Sequence, residues 1–337
     1  MSAAPLRKLS SLGVVVPLFN EQSGLDRFYN VLSNQLRELN LQYTIVFVDD
    51  GSSDATLEIL HHIAACDPKV TVLSLARNWG HQIALTAGLD HVEAEATVVM
   101  DGDLQHPPAV LEEMVRKYES GAEVVYAVRR SSPGVNRLKK LTSDLFYALF
   151  ERSTELTVVR GAADFRLMSR EVVTALRSMR EMHRYMRGMV PWLGSTFSIV
   201  QYDQGERKAG SPAYTWRKSA RLAKDALFSF STLPLDLLTW CGVVLSVYAL
   251  FYLIYVLAVL LLGRPVEGWT SVIAVLLILS TVQFLSIAIL AKYLGMVFEQ
   301  TKGRPLYVLK QKHMAEPHGS VPAGDAAGSR SSSVGVV

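Results

Sequence analysis

Asp101-Gly102-Asp103 is the pattern with the clearest chemistry. Two carboxylates at i and i+2 on a turn can offer oxygen ligands to a hard cation, and Mg²⁺ typically takes one or two carboxylates together with substrate phosphates. The spacing alone is common on surface loops, but its neighbours sharpen it. Thr97-Val98-Val99-Met100 before it reads as a strand, and Pro107-Pro108 after it suit a helix start. Asp49-Asp50-Gly51-Ser52-Ser53-Asp54 follows another β-branched run, and Ser53 or Asp54 is needed to cap a helix beginning at Ala55. That leaves Asp49 and Asp50 able to accept hydrogen bonds from a base or a ribose. Pro17-Leu18-Phe19-Asn20-Glu21 sets an aromatic ring beside a carboxylate, a pair that can stack on and hydrogen-bond a nucleobase.

These residues need a scaffold that gathers them. Val14–Val16, Thr44–Val48, Val70–Leu73, Thr97–Met100 and Glu123–Tyr126 read as short buried parallel strands. Between them, Leu25–Leu39, Ala55–Ala65, Gln82–Val92 and Ala109–Tyr118 carry helical spacing. The alternation predicts an α/β fold, a doubly wound and mainly parallel sheet. Such sheets bind ligands beyond the carboxyl ends of their strands. Asn20-Glu21, Asp49–Ser52, Arg77-Asn78 and Asp101–Asp103 all fall at those ends, which predicts one site. Residues 129–187 read as mostly helical, with an extended stretch near Ala163–Met168.

The chain has 337 residues, half of them apolar and 19% charged, with a mean hydropathy of +0.21. The apolar excess is concentrated. Leu237 to Gly263 and Gly268 to Ala291 carry no charge, and each exceeds the roughly 20 residues of a bilayer-spanning helix. Only Arg264-Pro265-Val266-Glu267 separates them, which predicts a hairpin. Positive residues gather before the first stretch and after the second (Lys292, Lys302, Arg304, Lys310, Lys312), placing both ends in the cytosol. Ser2–Ser11 is polar, and the apolar run Val14–Phe19 is short and broken by Pro17, so no secretory signal is read. Trp216–Phe230 reads as an amphipathic helix with Arg217, Lys218, Arg221 and Lys224 toward one side, able to lie on an anionic membrane. Cys66 and Cys241 are the only cysteines, which excludes a disulfide scaffold and a Cys-rich zinc site. The predicted layout is a tail over 1–11, an α/β domain over 12–215, a juxtamembrane helix over 216–232, spans over 233–263 and 269–297, a basic segment over 298–312 and a disordered tail over 313–337. Acidic residues outnumber basic ones about two to one over 1–128 and the balance reverses over 129–187, as a metal side and a phosphate side would require.

Several stretches together resemble a known family: Val14–Glu21, Asp49–Ser52, Arg77–Gln82 through Ala87-Gly88-Leu89, Asp101–Pro108, Asp164–Met168 and Arg184–Gly188. The chain is similar to family 2 glycosyltransferases with a GT-A fold, in the polyprenyl-phosphate branch. That branch includes dolichyl-phosphate mannose synthases and bacterial undecaprenyl-phosphate glucosyltransferases, and the resemblance covers about residues 12–310. It implies a nucleotide-sugar donor, a polyprenyl-phosphate acceptor, Mg²⁺ or Mn²⁺, the bacterial inner membrane with the catalytic domain on its cytoplasmic face, a homo-oligomer such as a tetramer, and no nucleic acid. Carried over by motif, Pro17, Glu21 and Asp50 would hold the nucleoside, with Asn20 and Asp49 beside them in the donor site. Asp101, Asp103 and Gln105 would surround the metal. Arg129, at the end of the fifth strand, would face phosphate. Lys139 and Ser143, four apart on one helix face, match the acceptor-phosphate position. Arg207 opens Arg207-Lys208-Ala209-Gly210 and would reach phosphate from a loop. After that loop start the family usually shows Ser-Lys-Tyr, whereas this chain has Pro212-Ala213-Tyr214. A hydroxyl and an ammonium are missing there, and Lys208, Arg217 or Lys218 could replace the charge.

The resemblance also implies one-step inversion at the anomeric carbon. A phosphate monoester is already anionic near neutral pH, with a second pKa of about 6, so it can attack without a strong general base. The protein must align two anionic substrates and stabilise charge on the leaving diphosphate. Asp164, the third catalytic candidate beside Asp101 and Asp103, could position Lys139, orient the sugar, assist as a base or simply pair with Arg166. His81 reads equally as a helix-start residue or a substrate contact, His106 as structural, and Trp192 and Tyr185 as packing residues. UDP-glucose or another UDP-hexose is the expected donor, with GDP-mannose the alternative. A processive synthase would need a Gln-x-x-Arg-Trp motif and more spans, and neither is found in the sequence. A non-enzymatic membrane scaffold would have no need of an intact Asp101, Asp103 and Gln105.

Overall fold

A computed structural model describes residues 7–130, 159, 162–203, 233–261 and 268–314. They fall into two compact units, one with residues 7–130, 162–203 and 304–314 and the other with residues 233–261 and 268–303. Lys139, Ser143, Arg207, Pro212-Ala213-Tyr214 and Trp216–Phe230 lie outside the described residues.

The first unit contains one sheet built from β1 (Ser11–Leu18), β2 (Gln42–Asp49), β3 (Val70–Leu75), β4 (Ala96–Val99), β5 (Val124–Arg129), β6 (Ala162–Ser169), β7 (Phe197–Tyr202) and β8 (Leu309–Met314). Their order is β7-β5-β6-β4-β1-β2-β3-β8. β4, β1, β2 and β3 are parallel, as are β5 and β7, while β6 and β8 run against their neighbours. Helices α1 (Leu25–Glu38), α2 (Thr56–Cys66), α3 (His81–His91) and α4 (Leu111–Glu119) alternate with the first five strands, and α5 (Arg170–Ser178) and α6 (Met186–Trp192) follow β6. This is the doubly wound, mainly parallel sheet that the sequence predicts.

Burial on both faces explains why β1 reads as an unbroken apolar run. Val14 and Val16 join the main core with Phe28, Leu32 and Leu36. On α1 the buried positions 25, 28, 32 and 36 mark a single helical face. Val15 points the other way, toward α3, where Gly88 packs so closely that a Cβ would sit 2.2 Å from Val15 Cγ1.

The antiparallel insertion of β6 between β4 and β5 matters most for function. Val99 and Tyr126 both pair with Arg166. The amino end of β6, carrying Asp164, therefore lies at the carboxyl edge of the parallel strands. β7 and β8 are not foreshadowed by the sequence reading. β7 buries Val200 and Tyr202 but exposes Phe197 and Ile199. β8 is a short edge strand with Lys310 and Lys312, charges that discourage pairing with another chain. Trp192, read from sequence as a packing residue, is instead 62% exposed at the end of α6. It closes a short helix beside the turn at Gly194, which leaves its ring largely exposed.

The second unit contains α7 (Leu233–Leu261) and α8 (Trp269–Thr301), of 29 and 33 residues. Both are long and apolar enough to cross a membrane, with windows Leu237–Tyr255 and Ile278–Thr301 of mean hydropathy 2.1 and 1.6. Trp240, Phe251, Phe284 and Leu294 are exposed. Large apolar surfaces of this kind mark contact with lipid or another protein.

Candidate active site

Asp101 and Asp103 leave the carboxyl end of β4 on a tight turn. Gly102 sits against the end of β1, where a Cβ would come 2.4 Å from Leu18 Cδ2. Leu104 adopts a left-handed φ of 59°, and Gln105 N–H donates to Asp103 Oδ1 at 3.0 Å. Beneath the turn lies His106, buried and stacked on Phe165 at 4.9 Å, with Tyr202 edge-on at 6.1 Å. Its Nδ1 accepts the Asp101 N–H at 3.0 Å, which assigns the neutral ring's proton to Nε2. Burial pushes the His106 pKa down despite the nearby carboxylates. His106 is thus a structural prop for the turn, as its sequence context indicates.

Asp49 and Asp50 are both buried and engaged with the protein. Asp49 Oδ1 accepts the Ser52 N–H at 3.1 Å and its Oδ2 faces the Ser74 hydroxyl at 3.4 Å. Asp50 Oδ1 and Oδ2 accept the N–H groups of Trp79 and Gly80 at 2.7 and 2.9 Å. Burial raises the Asp50 pKa, outweighing those two bonds. Asp50 therefore holds the loop between β3 and α3. Gly51 permits the close approach: its φ is +71°, and a Cβ there would meet the Arg77 carbonyl carbon at 2.6 Å. On the same loop the Arg77 guanidinium lies 3.8 Å from the Trp79 ring centroid. Trp79 Nε1 is buried without a hydrogen-bond partner among the described residues.

Asn20 plays a similar part on the neighbouring loop, at a left-handed φ of 55°. Its N–H donates to Ser52 Oγ at 3.0 Å, and its Oδ1 accepts the Ser53 N–H at 2.8 Å. Glu21 N–H donates to Thr56 Oγ1 at 2.9 Å. Asp54 serves the start of α2, accepting the Thr56 N–H at 3.0 Å. Pro17 is buried within β1 opposite Val48, whereas Phe19 beyond it is exposed.

Asp164 is the hub of a buried ionic cluster. Its Oδ1 pairs with Arg166 Nη2 at 2.6 Å, and its Oδ2 lies 3.4 Å from Arg187 Nη2, 3.3 Å from Gln82 Nε2 and 3.5 Å from His81 Nε2. Burial alone would raise its pKa, but Arg187, the His81 hydrogen bond and Arg166 hold it well below the usual carboxylate range. Arg166 also donates to the Met186 carbonyl at 3.2 Å, and Met186 N–H donates to Gln82 Oε1 at 2.9 Å. The first turns of α3 and α6 are thereby tied to β6. His81 Nε2 lies 3.7 Å from Asp101 Oδ1 as well as 3.5 Å from Asp164. Burial lowers the His81 pKa, but the Asp164 bond and the charges of Asp101 and Asp164 raise it overall. Arg184 is apart from this cluster, donating to the Met179 and Leu176 carbonyls at the end of α5.

The structure thus brings Asp101, Asp103, Gln105 and Asp164 together at one sheet edge, with Asp49, Asp50, Asn20 and Glu21 on the adjoining loops. Arg129 ends β5 opposite Tyr202 and is exposed. The sequence reading offered Arg166 as a partner of Asp164, a pairing that the structure shows, but gave no role to Gln82 or Arg187, although all three fall in stretches that carry the family resemblance. Among the described residues no group of three or more His, Cys, Asp or Glu is arranged to hold a metal ion. Two carboxylates on a half-buried turn still fit a divalent ion that a diphosphate helps to coordinate.

Residues 13–177 match the model of glycosyl transferase family 2. The chain is 36% identical to an uncharacterized glycosyltransferase, YkcC, of Bacillus subtilis, covering 90% of this chain and 94% of the relative. It is also 36% identical to the SfII prophage-derived bactoprenol glucosyl transferase of Shigella flexneri, covering 91% and 99%. Among solved structures, Mycobacterium tuberculosis glucosyl-3-phosphoglycerate synthase with Mn²⁺, UDP-glucose and phosphoglyceric acid is 19% identical, covering 69% of this chain and 80% of that one at a TM-score of 0.44. The chain belongs to glycosyltransferase family 2 and is a glycosyltransferase.

Proposed function

We propose that this enzyme transfers one glucose from UDP-glucose to a polyprenyl phosphate such as undecaprenyl phosphate, inverting the anomeric centre and releasing UDP. The observation that carries the reading is the half-buried Asp101–Asp103 turn set beside the Asp164–Arg166–Arg187 cluster at one sheet edge. Relatives named as bactoprenol glucosyl transferases support the sugar and the lipid.

Asp101 and Asp103, with Gln105 next to them, would hold Mg²⁺ or Mn²⁺. Bound there, the ion supplies a Lewis acid that withdraws charge from the departing diphosphate. The chain's own residues do the rest. Asp50 fixes the loop Arg77–Gly80 on the nucleoside side, with Glu21 and Asn20 on the adjoining loop. Asp164 stays ionised and paired, so it positions Arg187 and His81 and does not take a proton. The acceptor phosphate needs no base, because its second pKa is about 6. Arg187, with its side chain 35% exposed, brings positive charge to where two anionic substrates meet.

The chain leaves the first unit before α7 and returns to the same sheet as β8 after α8. We read both ends of the apolar helix pair as lying on one side of a bilayer, which this return to the same sheet supports. We read that side as the cytoplasmic face of the bacterial cell membrane, a reading that the lysines and arginine after α8 support.

A donor panel tests the reading. Purified protein in detergent is given undecaprenyl phosphate with labelled UDP-glucose, UDP-N-acetylglucosamine or GDP-mannose. Lipid-extractable label from UDP-glucose alone, lost with EDTA, is the expected result. Label from GDP-mannose alone would replace the donor assignment.

A further inference from the structure

The segment that follows α8 makes contacts that the sequence layout, a basic cytosolic stretch, gives no reason to expect. Leu306 and Tyr307 are 7% and 2% exposed. Tyr307 donates its hydroxyl to Asp90 Oδ2 at 3.0 Å, and its ring lies edge-on to His91 at 6.4 Å. Asp90 also receives Arg180 at 2.7 Å, so Tyr307 docks on a carboxylate already fixed near the end of α3. The next residues form β8, which pairs with Thr71–Leu75 of β3. Where the register shifts between Ser74 and Leu75, Val308 O accepts the Ala76 N–H at 2.9 Å.

Ala76 immediately precedes the loop Arg77–Gly80, and α3 immediately follows it. The segment therefore holds the loop at its start, through Val308 and β3, and holds α3, the helix that follows the loop, at its far end, where Tyr307 meets Asp90 in the last turn. Asp50 is the third hold, from β2.

We infer that residues 304–314 are a brace for the donor-binding loop, with Tyr307 its positioning residue. The inference rests on the reading of Arg77–Gly80 as part of the donor site. Nucleotide binding in this enzyme then depends on chain that lies beyond the apolar hairpin. A loosened brace costs donor affinity and leaves the acceptor side intact.

The test uses the full chain in detergent with Tyr307→Phe, which keeps the buried ring and removes only the hydroxyl, and Tyr307→Ala. UDP binding is measured by calorimetry with Mn²⁺ and no acceptor, alongside KM for each substrate. Tyr307→Phe should weaken UDP by about threefold to tenfold, the range of one lost hydrogen bond. It should raise the donor KM to match and leave the lipid-phosphate KM and kcat within about twofold, a spread below one bond's effect. Tyr307→Ala should weaken UDP further. Unchanged UDP affinity in Tyr307→Phe, or equal rises in both KM values, would overturn the brace. If the wild-type protein binds no UDP, the donor-site reading fails, and the brace with it. If the wild type binds and both variants match it, only the brace fails.

Discussion

Asp164 is buried yet ionised, because two guanidiniums and His81 surround it. Asp164→Asn would leave Arg166, itself buried, without its counter-charge. Removing one partner of a buried pair costs about 3–5 kcal/mol, and a thermal melt would show the loss. The pH dependence follows from the same shift. A carboxylate whose folded pKa lies below its unfolded value of about 3.9 contributes stability above that value and loses it as pH falls through the folded one. The wild type should therefore lose stability below about pH 4 more steeply than Asp164→Asn. Parallel acid-denaturation curves would count against the ion-pair account. Asp103 is different, since its carboxylate lies on a half-buried turn and, among the described residues, pairs with no buried guanidinium in the way Asp164 does. Asp103→Ala should reduce transfer at least a hundredfold, as loss of a metal ligand would, with little change in melting temperature. Wild-type turnover by that variant would remove the metal assignment.

At the scale of elements, the first five strands and four helices were legible because parallel strands buried on both faces leave plain apolar runs between helical spacings. Asp101–Asp103 and Asp49–Asp50 stood out as polar clusters at the ends of those runs. The role of Asp50 was not legible. Its partners are backbone N–H groups of Trp79 and Gly80, and backbone donors carry no residue-type signal. The cluster around Asp164 was hidden for another reason: Gln82, Asp164 and Arg187 meet only because β6 runs antiparallel between β4 and β5. β7 and β8 were missed because edge strands that expose Phe197 or carry Lys310 lack a buried pattern. One element-level prediction follows from Gly51. Gly51→Ala forces a side chain onto a φ of +71° and against the Arg77 backbone. It should destabilise by more than about 1 kcal/mol and weaken UDP binding by displacing the loop. An unchanged melt and unchanged UDP affinity would separate Gly51 from the donor loop.

For the whole molecule, the proposed hairpin predicts that both of its ends lie on one side of the membrane. Glu113 on α4 and Lys312 on β8 are both exposed and flank the hairpin in sequence. In a background with Cys66 and Cys241 replaced by serine, Glu113→Cys and Lys312→Cys should react with an impermeant thiol reagent from the same side of sealed vesicles. Labelling from opposite sides would rule out the hairpin. The proposed division of charge also makes sense at this scale: carboxylates after the early strands would hold the donor side, and Arg187 of α6 would bring positive charge to the same sheet edge. The most direct test of the central claim is the mass of the lipid product formed from UDP-glucose and undecaprenyl phosphate by the wild-type protein. The account predicts a lipid phosphate carrying a single hexose, formed only with a divalent ion and absent with Asp103→Ala. A lipid with several hexoses, or one formed equally well in EDTA, would contradict it.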